Sequence, residues 1–510
     1  MSAVVSSETE LARQSCRWII ACFAFVCIYF VGIYPGAPDA NQRSHYQLLR
    51  ALGERGTAEI DSEVRDFGWH TDIALRAGHR YSDKAPGLSA AAVPAYRLAR
   101  LFLPAPSSNL DWLVFYLARL GSVTLVVVWA LIAFVRRAAR SVARPRLVPF
   151  WLFALLFATP FAVYARSFFS HAFAASLLFL SFILLEGRPA AWSAAAAGLL
   201  AGLAVASEYP VVVIALSLWI FAATKGFPRL VAFSLGAAIP AVLLALYHSH
   251  YFGSALAFPL AASEAYPILA IRGVAGVSWP KPAALAGLFF DRAHGLMYFS
   301  PFLAVWPVVA VVSLRRVRRD PLLLVPALGP LLLLLIISGF LPPHWRGGWC
   351  LGPRYLVAGF LLLFWLLTVR VVNLRPAPRF LLACGVGYGT AVLFLCGSTF
   401  WMIPYEAWNP VRTVSAHFLK RGIVEYNLGV AAGLSPLVSL ALPAAAFAVA
   451  FFWMMRGTSI PLREVAGASV AGLALAGMLL AIRPSPEAIG NSHRDEIASV
   501  IAPAMRARWR

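Results

Sequence analysis

The sequence has few charged residues, and acidic residues are the scarcer of the two signs. Charged residues make up 13% of the 510 residues, whereas hydrophobic residues make up 60%. A soluble domain cannot bury this much apolar surface, so the composition excludes a soluble globular protein. It predicts a multi-pass membrane protein.

Cysteine is also sparse, with six residues and no CxxC pair, so neither a disulfide framework nor a zinc site is indicated. Lys and Arg outnumber Asp and Glu by 43 to 22. Because many basic residues lie in short loops between apolar runs, we interpret them as topology signals and contacts with anionic headgroups. Nucleic-acid binding is not expected. The first apolar run, 18–34, lacks a small-residue cleavage site and is interpreted as a retained span.

Apolar runs divide the chain into candidate membrane spans. A hydrocarbon core of about 30 Å needs about 20 apolar residues per helix. This length predicts an all-α, polytopic transmembrane bundle of about 13 spans, near 17–34, 110–134, 147–165, 170–187, 190–206, 209–224, 228–247, 295–314, 320–339, 354–373, 378–398, 434–455 and 463–482.

Every second loop is basic, which predicts the orientation of the bundle. The opposite short loops carry only Arg166, Arg346 and Arg354, and all ten histidines fall on their side or at its edge. The pattern predicts a cytoplasmic N-terminus and an active periplasmic side in a bacterial inner membrane. The basic loops hold Arg136, Arg137, Arg140, Arg144, Arg146; Arg188; Lys225, Arg229; Arg315, Arg316, Arg318, Arg319; Arg370, Arg375, Arg379; and Arg456, Arg463.

The predicted domain organisation follows from these spans. Residues 1–34 form the N-terminus and first span, and residues 35–109 form a periplasmic catalytic loop. Residues 110–482 form the transmembrane bundle, and 483–510 a periplasmic tail. Outer loops within the bundle are 248–294, 340–353 and 399–433. Within the first loop, Arg43–Gly56 and Ala85–Leu103 have the pattern of amphipathic helices at the membrane surface.

The first loop is unusually rich in acid, since the segment Pro38–Gly87 holds eight of the 22 carboxylates. It opens with Asp39, followed by Gln42, His45 and Tyr46. A carboxylate at the water–lipid boundary is partly desolvated, which raises its proton affinity and suits it to act as a base. The alternative is a solvated aspartate that helps to start the next helix.

The same loop ends in Tyr81-Ser82-Asp83-Lys84-Ala85-Pro86-Gly87. A lysine beside a loop-to-helix turn can hold a phosphate, and the amides at the helix start add to that interaction. The alternative is a lysine that anchors the chain to headgroups.

A third motif, 344–355, contains His344, Arg346 and Arg354 with two tryptophans. Basic residues usually concentrate in the cytoplasmic loops, so arginines on the outer side need an explanation. Bidentate binding of a phosphate by these arginines is one. An interfacial anchor loop is the alternative. His171 and Glu208 are further candidates, since ionisable groups at membrane depth usually face a cavity. Arg119, inside the second span, has no evident role in the sequence.

Together these segments resemble the GT-C superfamily of polytopic glycosyltransferases, which includes protein O-mannosyltransferases and lipid A aminoarabinose transferases. The matching stretches are Asn41–Tyr46, Tyr81–Gly87 and Trp345–Tyr355. The resemblance implies a polyprenyl-phosphate-sugar donor and transfer with inversion at the anomeric carbon. It implies that Lys84 holds the donor phosphate, assisted by Arg346 or Arg354.

One position departs from the family pattern. The family's acidic residue falls on Gln42, and an amide cannot act as a base. Asp39, Asp72 and Asp83 are the candidate catalytic carboxylates, and lost catalysis is the alternative.

The resemblance therefore implies an inverting hexosyl- or pentosyltransferase that acts on a lipid, glycan or protein acceptor. Membrane lipids are further expected partners. No metal-ligand spacing is found, and dependence on a divalent metal is left open. The rival predictions are a transporter or flippase for a lipid-linked sugar and a non-catalytic protein that binds polyprenyl lipids.

Overall fold

The computed structural model describes residues 2–32, 39–103, 111–141, 144–187, 190–266, 268, 276–371 and 375–506. Within these ranges the regular structure is helical apart from one short β-hairpin. The first half contains α1 (Ser2–Tyr29), α2 (Ala40–Arg55), α3 (Asp61–Phe67), β1 (Ile73–Arg76), β2 (His79–Ser82), α4 (Gly87–Arg100), α5 (Asp111–Arg119), α6 (Leu125–Ser141), α7 (Val148–Phe157), α8 (Phe161–Ala165), α9 (Ser170–Glu186), α10 (Ala191–Ser207), α11 (Val212–Thr224) and α12 (Phe227–Phe252).

The second half contains α13 (Pro282–Phe290), α14 (Leu296–Phe299), α15 (Trp306–Leu314), α16 (Leu324–Ser338), α17 (Phe360–Arg370), α18 (Pro376–Ser398), α19 (Ala416–Lys420), α20 (Leu428–Ala431), α21 (Pro436–Ser439), α22 (Ala441–Gly457), α23 (Leu462–Ala481), α24 (Pro486–Gly490) and α25 (Arg494–Arg506). Short 3₁₀ or π turns extend several of these helices; they are Leu120–Thr124, Pro145–Leu147, Tyr209–Val211, Pro259–Ala262, Pro301–Val305, Pro321–Leu323, His344–Arg346, Arg354–Gly359 and Val411–Ser415.

Among the described residues, seven helical stretches are long and apolar enough to cross a membrane, and five shorter apolar helices accompany them. On α12 the side chains of Leu235, Ile239, Val242, Leu243 and Leu246 are exposed, as expected of a face that meets lipid. The chain is thus a multi-pass helical membrane protein. The count of 13 spans stays a prediction.

The predicted span 147–165 is broken. Helix α7 ends at Phe157, and the turn at Ala158–Pro160 leads into the short α8. Pro160 has no backbone N–H with which to continue the helix. The Leu155 carbonyl oxygen instead accepts a hydrogen bond from the Thr159 hydroxyl. The break places Arg166 and Phe168 in the loop that reaches the site described below.

The bundle is built on close helix pairs: α1 packs against α22, α10 lies against both α9 and α12, and α18 packs against α23. Helices α10 and α12 approach at two glycines. A Cβ atom on Gly198 would lie 1.9 Å from the Phe233 carbonyl oxygen, and one on Gly236 would lie 1.9 Å from that of Ala195. Small residues allow this contact, which supplies the dispersion energy that holds helices together in lipid.

Arg119 ties the second span to the first. Its guanidinium is buried and donates to the carbonyl oxygens of Cys27 and Phe30, at 2.8 and 2.9 Å, and to Thr124 Oγ1 at 3.0 Å. The last carbonyls of α1 have no partner within their own helix and carry partial negative charge. Arg119 satisfies them, so its place inside a span is explained by helix termination.

Contacts sort the loops into two ends. The predicted basic loops meet one another and the start of α1: Arg137 pairs with Glu186, Arg146 with Glu8 at 3.0 Å, and Arg379 with Glu464 at 2.7 Å. The loops predicted as outer also meet one another, as in the pair Arg166–Glu425. Arg188 and the predicted boundaries at 34–35 and 109–110 lie outside the described residues.

Both helices predicted in the first loop are present. Helix α2 ends before Gly56, which has φ of 69°, and α4 follows Pro86 and contains Pro94. The two pack against each other, and their position at the membrane surface stays a prediction. The hairpin between them departs from the all-α prediction. Its two-residue turn, Ala77-Gly78, has positive φ at both positions, as the tight turn between antiparallel strands requires.

Candidate functional site

A cavity of about 690 Å³ lies at the end of the bundle formed by the predicted outer loops. Its wall combines segments far apart in sequence, including the start of α2, the residues before the hairpin, the loop 340–355 and one side of α25. Asp39, Asp72, Lys84, Arg354 and His344 line it, so the structure brings these five predicted residues together.

The hairpin positions two carboxylates around Lys84. Because Ile73 pairs with Ser82, the residues just outside this pair, Asp72 and Asp83, lie side by side. Lys84 Nζ is 3.0 Å from Asp72 Oδ2 and 3.0 Å from Asp83 Oδ1. Asp72 and Lys84 face the cavity, whereas Asp83 is buried behind them and is not among the lining residues.

Charge within this cluster is set by burial and proximity. Burial alone would lower the pKa of Lys84, but the two carboxylates raise it above its ordinary value. Burial alone would raise the pKa of Asp72, but Lys84 outweighs it and lowers that pKa. For Asp83 burial prevails and raises the pKa to about 6. Lys84 and Asp72 are therefore both charged at neutral pH.

Asp39 occupies the N-terminal cap of α2, where its Oδ1 accepts from the Gln42 backbone N–H at 3.1 Å. The helix-starting role considered from the sequence is thus present, and the residue also lines the cavity. Burial raises the pKa of Asp39 to about 6, although the hydrogen bonds from Gln42 act in the opposite direction. A carboxylate of this kind is mostly ionised at pH 7 and accepts a proton readily.

Arg354 is a cavity cation held by few polar contacts. Among the described residues it forms no ion pair; its terminal nitrogen donates to Tyr355 Oη at 3.3 Å, and its buried Nε has no hydrogen-bond partner. The guanidinium lies over the Phe169 and Tyr355 rings, at 5.8 and 5.0 Å. A guanidinium in this state can bind an anion without first breaking a salt bridge.

Arg346, the other arginine predicted to hold phosphate, is placed differently. It donates to Asp291 Oδ2 at 2.9 and 3.0 Å, stacks on Trp345, and is not among the cavity-lining residues. Asp291 directly follows α13 and is far from Arg346 in the chain. Its pairing with Arg346 depends on the approach of two loops.

His171 and Glu208 form a buried pair, with 3.0 Å between His171 Nδ1 and Glu208 Oε2. Burial alone would raise the pKa of Glu208, but His171 and a hydrogen bond from Ser170 lower it to about 2. The pair lies outside the cavity lining. It stands behind Arg354, whose charge also lowers the Glu208 pKa.

The remaining predicted residues, Gln42, His45, Tyr46 and Tyr81, support the site without lining it. Burial lowers the pKa of His45 to about 3, so this imidazole is neutral. The Tyr46 ring packs on Phe115 at 4.2 Å, and Tyr81 packs among the rings of α12. Gln42 hydrogen bonds to Asp39 through its side chain.

Several lining residues were missed in the sequence, among them Arg43, Trp69, His70, Tyr355 and Tyr405. His70 Nε2 donates a hydrogen bond to Gln47 Oε1 at 2.9 Å, and burial lowers the pKa of His70 to about 4. Two short strand-like runs separated by a two-residue turn are a sequence pattern that predicts a hairpin. This pattern would also have indicated the adjoining part of the cavity wall, which includes His70. The other residues carry no local signal.

No group of three or more His, Cys, Asp or Glu side chains within the described ranges is arranged to hold a metal ion. The cavity instead combines three carboxylates, Asp39, Asp72 and Glu496, with three cations, Arg43, Lys84 and Arg354. Such a set can bind a phosphate and accept a proton next to it.

The fold and cavity thus define a polytopic helical membrane protein with a charged pocket among the loops at one end. The sequence matches no protein-family model and no curated protein. Among solved structures it is similar to ArnT from Cupriavidus metallidurans bound to undecaprenyl phosphate, with a TM-score of 0.48 and 14% identity over 99% of this chain and 79% of that chain. The apo form of the same protein gives a TM-score of 0.44 and 16% identity over 90% and 76%.

The arabinosyltransferase EmbB from Mycobacterium smegmatis is also similar, with a TM-score of 0.44 and 14% identity over 96% of this chain and 41% of that chain.

Proposed function

We propose that the protein is a membrane glycosyltransferase that moves a sugar from a polyprenyl-phosphate donor to an acceptor at this cavity. The observation that carries the proposal is the meeting of a buried, proton-accepting carboxylate with a guanidinium that has no ion-pair partner among the described residues. These are Asp39 and Arg354, and both line one cavity in a helical membrane protein.

The donor phosphate is assigned to Arg354 and Lys84. Arg354 presents planar N–H donors that fit two phosphate oxygens, whereas Lys84 supplies a charge already held in place by Asp72 and Asp83. Negative charge grows on the phosphate as the bond to the sugar breaks. Two fixed cations stabilise that charge without reorganising, which lowers the barrier. Arg346, held by Asp291, is assigned at most a secondary part.

Asp39 is assigned as the base. It takes the proton from an acceptor hydroxyl or amine, the acceptor attacks the anomeric carbon, and the lipid phosphate leaves from the opposite face. A single displacement of this kind inverts the anomeric configuration. Asp72 is less suited to the role because Lys84 holds its pKa low, and Asp83 because it is enclosed behind Lys84.

The site is assigned to the periplasmic face of a bacterial inner membrane, with the N-terminus in the cytoplasm. Apart from Arg354 and Tyr355 at the start of a predicted span, the residues that line the cavity belong to the loops and tail predicted as outer. The basic loops contact one another at the other end. The sugar is a hexose or pentose, and the acceptor is a lipid, glycan or protein.

The test is sugar transfer by the purified protein in lipid nanodiscs, using a panel of labelled polyprenyl-phosphate hexoses and pentoses with cell-envelope extract as the acceptor. We expect Asp39→Asn to lower turnover about 100-fold or more with donor binding retained. We expect Arg354→Ala to weaken donor binding by about 10- to 100-fold, as the loss of a charged hydrogen bond predicts. Arg379→Ala, at the other end of the bundle, is the matched arginine control.

Four results would count against this function. Full transfer activity in Asp39→Asn would remove the base, and unchanged donor affinity in Arg354→Ala would remove the phosphate site. Donor binding by the wild-type protein without transfer to any acceptor would favour the non-catalytic lipid binder. Movement of the labelled donor across a liposome bilayer without a new glycosidic bond would favour a flippase.

A further inference from the structure

The Gln42 side chain uses all of its hydrogen-bonding groups in a buried position. Its Nε2 donates to the Gly32 carbonyl oxygen at 2.9 Å and to the Asp39 carboxylate, and its Oε1 accepts from the Phe168 backbone N–H at 2.7 Å. Gln42 is 5% exposed and does not line the cavity. A residue so placed acts on the site only through its neighbours.

The three partners of this amide come from three separate parts of the chain. Gly32 follows the first span, Asp39 opens α2, and Phe168 precedes α9. The amide therefore ties the Asp39 carboxylate to the ends of two apolar helices. Those ends are themselves braced, because Arg119 holds the carbonyls of α1 and Arg166 pairs with the buried Glu425.

Only an amide meets the demand at this position. It must donate twice, to a carbonyl and to a carboxylate, and accept once from an N–H. A carboxylate at position 42 would face both the Gly32 carbonyl and the Asp39 carboxylate, and like charges this close cannot both be ionised. Position 42 therefore holds a glutamine where the family that the sequence resembles has an acid. In this chain the acid is Asp39, which contacts that glutamine.

We propose that Gln42 is a positioning residue that orients the Asp39 carboxylate toward the cavity and keeps it charged. The inference rests on the proposed function, since it concerns the base of that reaction. Its support is independent of any homologue: one buried amide, three partners, and a carboxylate that lines the cavity.

Other charges also act on Asp39, and a pH test must take account of them. Arg43 on the same helix lowers its pKa, and Asp72 beside the hairpin raises it. The other titratable or charged groups around the cavity are His70, Lys84, Tyr266, His344, Arg354, Tyr355, Tyr405 and Glu496. None of these is changed in the variants below, so a shift between variants reports on position 42.

The experiment compares the pH profile of sugar transfer in the wild-type protein, Gln42→Glu and Gln42→Met. Both variants remove the side-chain amide N–H that stabilises the charged form of Asp39, so we expect the acidic limb to move up by about one pH unit. We expect kcat to fall about tenfold in Gln42→Met even at high pH, because orientation is lost. KM for the donor stays within twofold, since Lys84 and Arg354 are untouched. If Gln42→Glu does not fold, the uncharged Gln42→Met carries the same test.

Asn427→Leu is the matched control. Asn427 is also a buried amide with three bonds at about 3.0 Å, to Glu425, Ser439 and Val430, and it does not line the cavity. Its loss should lower the unfolding temperature and leave the acidic limb in place. If the acidic limb of the pH profile lies at the wild-type pH in both Gln42 variants, the positioning role is overturned. Absence of transfer in the wild-type protein would instead overturn the proposed function.

Discussion

At the residue scale, the cavity carboxylates Asp39 and Asp72 differ in protonation because their surroundings differ. Asp72 lies 3.0 Å from the Lys84 ammonium, which outweighs burial and lowers its pKa. Asp39 accepts only neutral hydrogen bonds from Gln42, and burial raises its pKa to about 6. Two carboxylates in one cavity can therefore serve two purposes: Asp72 holds a cation, and Asp39 takes a proton.

A first prediction concerns the pH dependence of transfer. Asp39 must be unprotonated to act as a base, and its pKa is about 6, so kcat/KM should rise with pH through about 6 and then level off. Steady-state rates between pH 4.5 and 8.5 measure this. A limb of the same midpoint persisting in the residual activity of Asp39→Asn would assign it to another group.

A second prediction concerns the charge cluster around Lys84. Lys84→Met leaves Asp72 and Asp83 together without their cation, and breaking a buried ion pair in this way costs about 3–5 kcal/mol. Adding Asp83→Asn removes one of the two charges and should restore much of the unfolding temperature in detergent. Donor KM should stay high in both proteins, because the phosphate has still lost Lys84.

The single variant Asp83→Asn is the control, since it keeps the pair between Lys84 and Asp72. We expect near wild-type donor affinity for it. Equal unfolding temperatures for Lys84→Met and the double variant would contradict the electrostatic explanation.

At the element scale, short irregular segments place the reactive groups. The hairpin sets Asp72 beside Asp83, and the loop before α17 brings Arg354 into the cavity. That loop contains two consecutive glycines of positive φ, Gly347 at 85° and Gly348 at 72°. Their environments differ, which gives a direct test of the loop.

The third prediction compares alanine at these two glycines. A Cβ on Gly347 would lie 2.8 Å from Arg354 Nε, whereas one on Gly348 would have no heavy atom within 4 Å. Both substitutions carry a backbone cost of about 1–2 kcal/mol, but only Gly347→Ala displaces the guanidinium. We expect its loss of donor affinity to exceed that of Gly348→Ala about tenfold. Equal losses would mean that Arg354 does not depend on this contact.

At the scale of the whole molecule, the bundle keeps its cation-rich loops apart from its cavity. Ion pairs such as Arg379–Glu464 and Arg146–Glu8 hold the basic loops at one end of the bundle. The loops predicted as outer enclose the cavity at the other end. All six cysteines are buried, so an added surface cysteine can be labelled selectively.

The fourth prediction uses this property to test orientation. Arg318→Cys introduces an exposed thiol in a basic loop, and Ala255→Cys introduces one in the loop after α12, on the cavity side. In cells with a permeabilised outer membrane, a membrane-impermeant maleimide should label position 255 at once and position 318 only after lysis. The reverse order would invert the assigned topology.

Much of the architecture could be predicted from the sequence because it depends on local properties. Apolar length and the alternation of basic loops predicted helices that the structure contains, including α2 with its stop at Gly56 and α4 after Pro86. The candidate site was predicted in part: Asp39, Lys84 and Arg354 each lay in a motif with its own chemical rationale, and all three line the cavity.

The sequence by itself determined which segments are apolar enough for a membrane and which loops carry charge, since both are properties of neighbouring residues. Only the tertiary structure decided that Arg346 is held by Asp291, that Arg119 satisfies the end of α1, and that Gln42 contacts Asp39, Gly32 and Phe168. These contacts join residues distant in the chain, and their distances are set by the packing of whole helices and loops.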